Sequence, residues 1–258
     1  MRRLIGFACE GESLAATLDE APGTTGLLIV SGGNEIRSGA HRGMAMLAQS
    51  LAATGTPVFR YDRRGVGDST GDNGGFLSAE PDLIEAVTAF RAQAPRIARL
   101  IGFGNCDAAS TLALFGRSAG IDRVVLANPW VIEPFDDLPP AAAIRARYAE
   151  RLRDPRSWYR MIRGEIDLRK LVNGVRKLSR PKLADGDALA GRVCGAIDDW
   201  GDRAVVLLAA RDATALAFAA RYRGGARVTR FDTASHSFAG VENAAALYGK
   251  IVTEIAGQ

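Results

Sequence analysis

Short apolar runs recur along the chain, and most are followed by stretches in which apolar residues return every three or four positions. Leu27-Leu28-Ile29-Val30 reads as a buried strand, with Gly32-Gly33 behind it and a helix near Ala40 to Ala53. Pro57-Val58-Phe59-Arg60-Tyr61 is a strand closed by the glycine-rich turn Asp62 to Ser69, and a helix is expected from about Glu80 to Gln93. Arg99 to Phe103 and Arg123 to Ala127 are strands flanking a helix from Asp107 to Phe115. Ala204 to Ala209 and Ala226 to Phe231 are two more, each with a helical stretch after it. Strands alternating with helices of this length predict an α/β fold, a mostly parallel sheet of about eight strands covered on both faces. Leu4 to Ala8 and Ser13 to Asp19 are too close for a helix between them, so they predict an antiparallel hairpin at the sheet edge.

One segment breaks the rhythm. Residues 130–184 carry helical patterning without a strand, punctuated by Pro139-Pro140 and Pro155. From Ala141 to Lys182 there are thirteen Lys/Arg and four Asp/Glu, a balance of +9, which leaves −5 for the rest of a chain whose net charge is +4. The expected organisation is a core of residues 1–129 and 185–258 with a basic helical cap, 130–184, inserted over the crevice at the strand carboxyl ends, where open α/β sheets bind ligands.

Composition narrows the classes. With 47% apolar and 24% charged residues in 258, the chain is expected to be a globular protein, not a disordered, collagenous or coiled-coil one. No apolar run is long enough for a membrane span and the first residues lack a signal-peptide core, which predicts a cytoplasmic protein. Cys9, Cys106 and Cys194 have neither disulfide-framework nor zinc spacing, and no metal or cofactor is implied. Nucleic acid is disfavoured as a partner, because no aromatic-basic interleaving accompanies the charge.

The candidate chemistry centres on Gly104-Asn105-Cys106-Asp107-Ala108, between a strand and a helix. A nucleophile on such a sharp turn needs small neighbours, and a helix N-terminus favours a thiolate over a thiol. Asp212 follows the strand ending at Ala209, and His236, one of two histidines, follows the strand ending at Phe231. That is the order nucleophile, acid, base. Asp212 also suits a helix N-cap, and Asp232 lies too near His236 in sequence to be the acid. An oxyanion needs backbone donors. The amide of Asp107 supplies one, and the loop Ser31-Gly32-Gly33-Asn34-Glu35 the other, with Asn34 chosen and Gly33 the neighbour that could replace it. Glu35 either contacts the resting cysteine or faces solvent, and Arg37, His41 and Arg42 either line the pocket or hold the loop. Asp62 to Ser69 lacks the Lys and Ser/Thr of a phosphate loop and reads as a structural turn. Gly102-Phe103-Gly104 lacks the third glycine of a dinucleotide fingerprint. Cys9 and Cys194 read as packing residues.

Three stretches carry a resemblance: Ser31 through Arg42, Phe59 through Ser69, and Gly104-Asn105-Cys106-Asp107-Ala108-Ala109-Ser110. Across nearly its whole length the chain resembles the alpha/beta-hydrolase superfamily, and these stretches resemble the exosortase A system-associated hydrolase 1 family. The first and third are specific, and the middle one is common to many alpha/beta hydrolases. The resemblance implies the alpha/beta-hydrolase fold and a link to bacterial exopolysaccharide production and protein sorting, and it supports Cys106 as nucleophile. A looser similarity is to dienelactone hydrolase, which uses a Cys, Asp and His but lacks the basic insertion.

Together these readings predict hydrolysis of an ester or thioester through Cys106, His236 and Asp212 and a covalent acyl-cysteine, on a small-molecule or carrier-bound acyl substrate. Transfer of the acyl group to an alcohol or amine is the first alternative, and a non-catalytic scaffold the second. The basic segment either attracts a phosphorylated or carboxylated leaving group or is a solvated surface.

Overall fold

The computed structural model describes residues 1–132 and 186–257. Of the segment expected to form a cap, 130–184, only residues 130–132 are among them, so the cap and its basic surface lie outside the described residues. The chain divides into two compact units, Met1–Val131 with Arg192–Gln258, and Ile132–Gly191. The first holds the whole sheet.

β1 (Arg2–Cys9) and β2 (Glu12–Asp19) form the expected hairpin. Its two turn residues, Glu10 and Gly11, both have positive φ, as a tight hairpin with right-handed twist requires. β3 (Thr25–Val30), β4 (Val58–Tyr61), β5 (Arg99–Asn105), β6 (Arg123–Ala127), β7 (Ala204–Ala209) and β8 (Arg227–Phe231) complete one sheet in the order β1-β2-β4-β3-β5-β6-β7-β8. β2 pairs antiparallel with β4, and every pairing from β4 to β8 is parallel. β4 begins one residue after the expected start because Pro57 has no N–H to give a ladder, and its carbonyl accepts from Leu27 instead.

Both faces of the central strands are buried. On one, Leu27 and Ile29 of β3, Ile101 and Phe103 of β5, and Val205 and Leu207 of β7 join a single apolar cluster. That cluster includes Leu47 and Leu51 of α1 (Gly43–Ala53) and Leu247 and Ile251 of α6 (Val241–Ala256). On the other face lie α2 (Glu80–Gln93), whose Phe90 stacks on Phe59 with centroids 5.2 Å apart, and α3 (Asp107–Phe115). The alternate positions of β5 on this side are Leu100, Gly102 and Gly104; a Cβ on Gly102 would lie 2.8 Å from Leu112 Cδ2. The glycines of Gly102-Phe103-Gly104 therefore let α3 approach the strand. α4 (Gly186–Trp200) ends on Trp200, whose buried indole donates to the Ala113 carbonyl at 3.0 Å. α5 (Ala213–Arg221) connects β7 to β8. Among the described residues no helix is long and apolar enough to cross a membrane.

His41 and Arg42 do not open a helix as expected. They form a 3-10 turn with left-handed backbone (φ 51° and 61°), and α1 starts only at Gly43. Two successive side-chain-bearing residues at positive φ cannot continue a right-handed helix.

Candidate active site

β5 runs through Asn105 and α3 starts at Asp107, which leaves Cys106 alone at the corner with φ 63° and ψ −128°. A side-chain-bearing residue in such a region costs on the order of 1–3 kcal/mol and persists only where its surroundings fix it. Here the Cys106 amide donates to the Ala127 carbonyl at 3.0 Å, and its carbonyl accepts from Ala109 and Trp130 at 3.1 and 3.2 Å. Close neighbours leave no spare room. A Cβ on Gly104 would lie 2.7 Å from the Ala108 carbonyl carbon, and one on Gly32 would lie 2.4 Å from the Asn105 carbonyl oxygen. The result is a half-buried thiol at the N-terminus of α3, whose opening amides have no acceptor within the helix. Gly104→Ala is expected to lower stability by about 1–3 kcal/mol, because strand or helix must shift. Urea unfolding checks it, and an unchanged midpoint would mean that α3 is not held this closely.

β7 and β8 deliver the other two groups. Asp212 caps α5, its Oδ2 accepting from Ala215 N at 3.0 Å, and the same oxygen lies 3.0 Å from His236 Nδ1. Capping and orienting the ring are thus one arrangement. The Cys106 thiol bears on the same imidazole and, after Asp212, favours its protonated form. Burial opposes ionisation of Asp212, but the hydrogen bonds from His236 and from the Ala215 and Thr214 amides outweigh it and hold the carboxyl below its ordinary pKa. The hydrogen bond to Asp212, and next that to Cys106, push the His236 imidazolium up to about 10 against the opposing effect of burial. Asp232, the competing acid, is exposed and pairs with Arg211 at 3.2 Å.

The loop carrying His236 is fixed by two asparagines. Asn105 Nδ2 and Asn128 Nδ2 each donate to the His236 carbonyl at 3.0 Å, and Asn128 Nδ2 also donates to Asn105 Oδ1 at 2.9 Å. Asn128, fully buried just past β6, accepts from the Ala209 amide at 2.8 Å and donates its own to the Leu207 carbonyl at 2.9 Å. One side chain therefore ties the ends of β5, β6 and β7 to the histidine loop. Sequence reasoning passed over it, although Asn105 and Asn128 both stand at the carboxyl ends of adjacent strands. Phe238, buried and edge-on to Phe231 at 5.3 Å, anchors the loop from the core side.

The loop after β3 reaches the elbow by a different route. Gly33 N donates to Asp107 Oδ1 at 2.6 Å, and the Gly33 carbonyl accepts from Arg63 Nη2. The Gly33 amide is thus already occupied, whereas the Asn34 amide has no hydrogen-bond partner among the described residues. The Asn34 side chain accepts from Asn73 Nδ2 at 2.8 Å. Glu35 is exposed to solvent. Arg37 turns inward to the fully buried Asp62, and to Asp68 and Thr17 at 2.8 and 3.1 Å, which places its guanidinium against the Asp62–Ser69 turn. His41 and Arg42 are exposed. Cys9 is buried, its thiol 3.3 Å from Asp82 Oδ1 and pushed up to about 12 by burial and then by Asp82, as suits a packing residue. A cavity of about 400 Å³ at the β1–β2 edge is walled by Met1, Arg2, Asp19 and Gln49 among others, and none of its walls belongs to the candidate site.

This strand order, with a nucleophile-type corner after β5, defines the alpha/beta-hydrolase fold. Solved structures share this fold. Est1E from Butyrivibrio proteoclasticus, solved with ferulic acid bound, superposes with a TM-score of 0.60 at 15% identity over 98% of this chain and 100% of that one. The thioesterase domain from the curacin biosynthetic pathway gives 0.57 at 12% identity, again over 98% and 100%. A hydrolase from Pseudomonas aeruginosa PA01 gives 0.58 at 22% identity over 99% of both chains. No family profile and no curated protein matches the sequence.

Proposed function

We propose that this protein hydrolyses an ester or thioester through an acyl-cysteine on Cys106. The observation that carries the reading is the strained Cys106 at the corner, whose thiol favours the protonated form of a histidine that stands 3.0 Å from an aspartate. A histidinium matches a thiolate nucleophile, which needs no base to remove a proton at the moment of attack. The Cys106 sulfur adds to the acyl carbon, and the new oxyanion takes hydrogen bonds from the Asp107 and Asn34 amides. His236 gives its proton to the departing alkoxide or thiolate as the carbon–oxygen or carbon–sulfur bond breaks. Neutral His236 then removes a proton from water as it attacks the acyl-cysteine, and Cys106 leaves as thiolate while His236 keeps that proton. Asp212 holds the ring and its charge throughout.

The similarity to an esterase and a thioesterase fits this chemistry, as does the resemblance of Ser31–Arg42 and Gly104–Ser110 to the exosortase A system-associated hydrolase 1 family, with its link to exopolysaccharide production. The surplus of Lys/Arg between Ala141 and Lys182 suits a phosphorylated carrier as leaving group. With p-nitrophenyl acetate and butyrate the expected result is a burst of one nitrophenolate per protein, then slower turnover, both absent in Cys106→Ala. A burst whose turnover accelerates with added alcohol or amine would make the protein an acyltransferase. A folded protein with no Cys106-dependent burst on these esters or on an acyl-pantetheine thioester would be a scaffold.

A further inference from the structure

We propose that Arg63 is a positioning residue for the oxyanion donors, an inference that rests on the reading of Cys106 as nucleophile. Arg63 follows β4 in the turn that the sequence marks as structural, and it is 4% exposed. Its Nη2 donates to the Gly33 carbonyl. Its Nη1 is buried without a hydrogen-bond partner and stands 3.7 Å from Asp107 Oδ2, while Asp107 Oδ1 takes the Gly33 amide at 2.6 Å. A buried guanidinium with an unsatisfied nitrogen is a poor device for stability alone, since desolvating the charge costs several kcal/mol and the orphan donor adds to it.

The arrangement makes sense as orientation. In a trans peptide the carbonyl and the next N–H point in opposite directions. By holding the Gly33 carbonyl, Arg63 turns the Asn34 N–H the other way and keeps it there. The grip matters because Gly33 (φ 58°) has no Cβ and no neighbour within 4 Å of where one would sit, so its own sterics do not resist rotation of these peptide planes. Asp107 holds the Gly33 N–H from the other side. The same guanidinium faces the Asp107 carboxylate, a negative charge on the residue next to the nucleophile, where it would oppose a developing oxyanion. The orientation of the Asn34 N–H matters only to reactions that form an oxyanion, and a substitution that keeps the charge facing Asp107 isolates that effect.

That property supplies the test. Acylation by p-nitrophenyl acetate forms a tetrahedral oxyanion, whereas alkylation of Cys106 by iodoacetamide displaces iodide at a saturated carbon and forms none. Arg63→Lys keeps the charge and the stem but loses the planar fork. The expected result is a burst rate lower by about 10- to 1,000-fold, the range for losing an oxyanion donor, with KM little changed and the alkylation rate within about twofold of wild type. Equal losses in acylation and alkylation would mean a general structural role and overturn the proposal, as would an unchanged burst. Should Arg63→Lys fail to fold, Asp107→Ala and Asp107→Asn decide. Asp107→Ala should slow acylation selectively, and Asp107→Asn, which keeps an oxygen for the Gly33 amide, should restore most of it; loss of alkylation in step overturns the proposal. A wild-type protein with no burst refutes the Cys106 reading itself and the Arg63 role with it. A normal wild-type burst that Arg63→Lys leaves intact refutes only the latter.

Discussion

Cys106→Ser is expected to acylate about 100- to 1,000-fold more slowly than the wild type at pH 7, and to recover part of the loss as the pH is raised. A serine hydroxyl reacts only when a neutral imidazole accepts its proton. Here the imidazolium stands at about 10 in the wild type, and its largest support is Asp212, which the substitution leaves in place. Loss of Cys106 removes the second support and lowers that value, while the larger one remains, so most His236 is expected to keep two ring protons at neutral pH. The shortage of neutral base is then about two to three powers of ten. Burst kinetics between pH 6 and 10 check it. A serine variant as fast as wild type at pH 7, with a flat profile, would show that His236 is neutral there and that the thiol has no special place.

Asp212→Asn should lower kcat by about 10²–10⁴-fold, the span from loss of general acid–base work to misorientation of a catalytic histidine. The variant should fold, since asparagine caps a helix as well as aspartate does. The His236 titration followed by NMR should drop from about 10 toward its ordinary 6.5. The consequence for stability has a definite sign. His236 is raised in the folded state, so its contribution is fully present below about pH 6.5 and is lost as pH rises through about 10. Asp212 is depressed, so its contribution is present above the ordinary carboxylate range and is lost as pH falls into that range and below. The wild type should exceed Asp212→Asn most between about pH 5 and 6.5, and the margin should narrow toward pH 10. A margin that widens with pH would sink this account of the pair.

Much of the sheet is legible because the central parallel strands are short apolar runs buried on both faces, and because Gly and Pro punctuate the ends. The expected spans of α2, α3, β6 and β7 coincide with those observed. The corner at Cys106 was legible for a similar reason, as small residues must surround a residue with that backbone. What stayed hidden depends on contacts between distant positions. Gly33 and Asp107 are 74 apart in sequence, and Asn128 and His236 are 108 apart. No periodicity encodes which amide meets which carboxylate. The sequence marks Asp107 for its backbone amide alone, although its side chain takes the Gly33 amide and leaves that of Asn34 free. For Arg37 the sequence leaves open whether it lines the pocket or holds the loop, because no local pattern announces the buried carboxylate of Asp62 that takes its guanidinium.

The two asparagines that hold the histidine loop grip the His236 carbonyl and leave its ring to Asp212 and Cys106. That makes the residue a paddle on a fixed axle. In the proposed reaction the proton travels from the ring to a leaving group and later from water to the ring, and each trip asks only for small rotations of one side chain. Such rotations take picoseconds to nanoseconds, whereas moving a loop takes far longer. Proton delivery would therefore be timed by the arrival and departure of substrate rather than by motion of the backbone that carries the base.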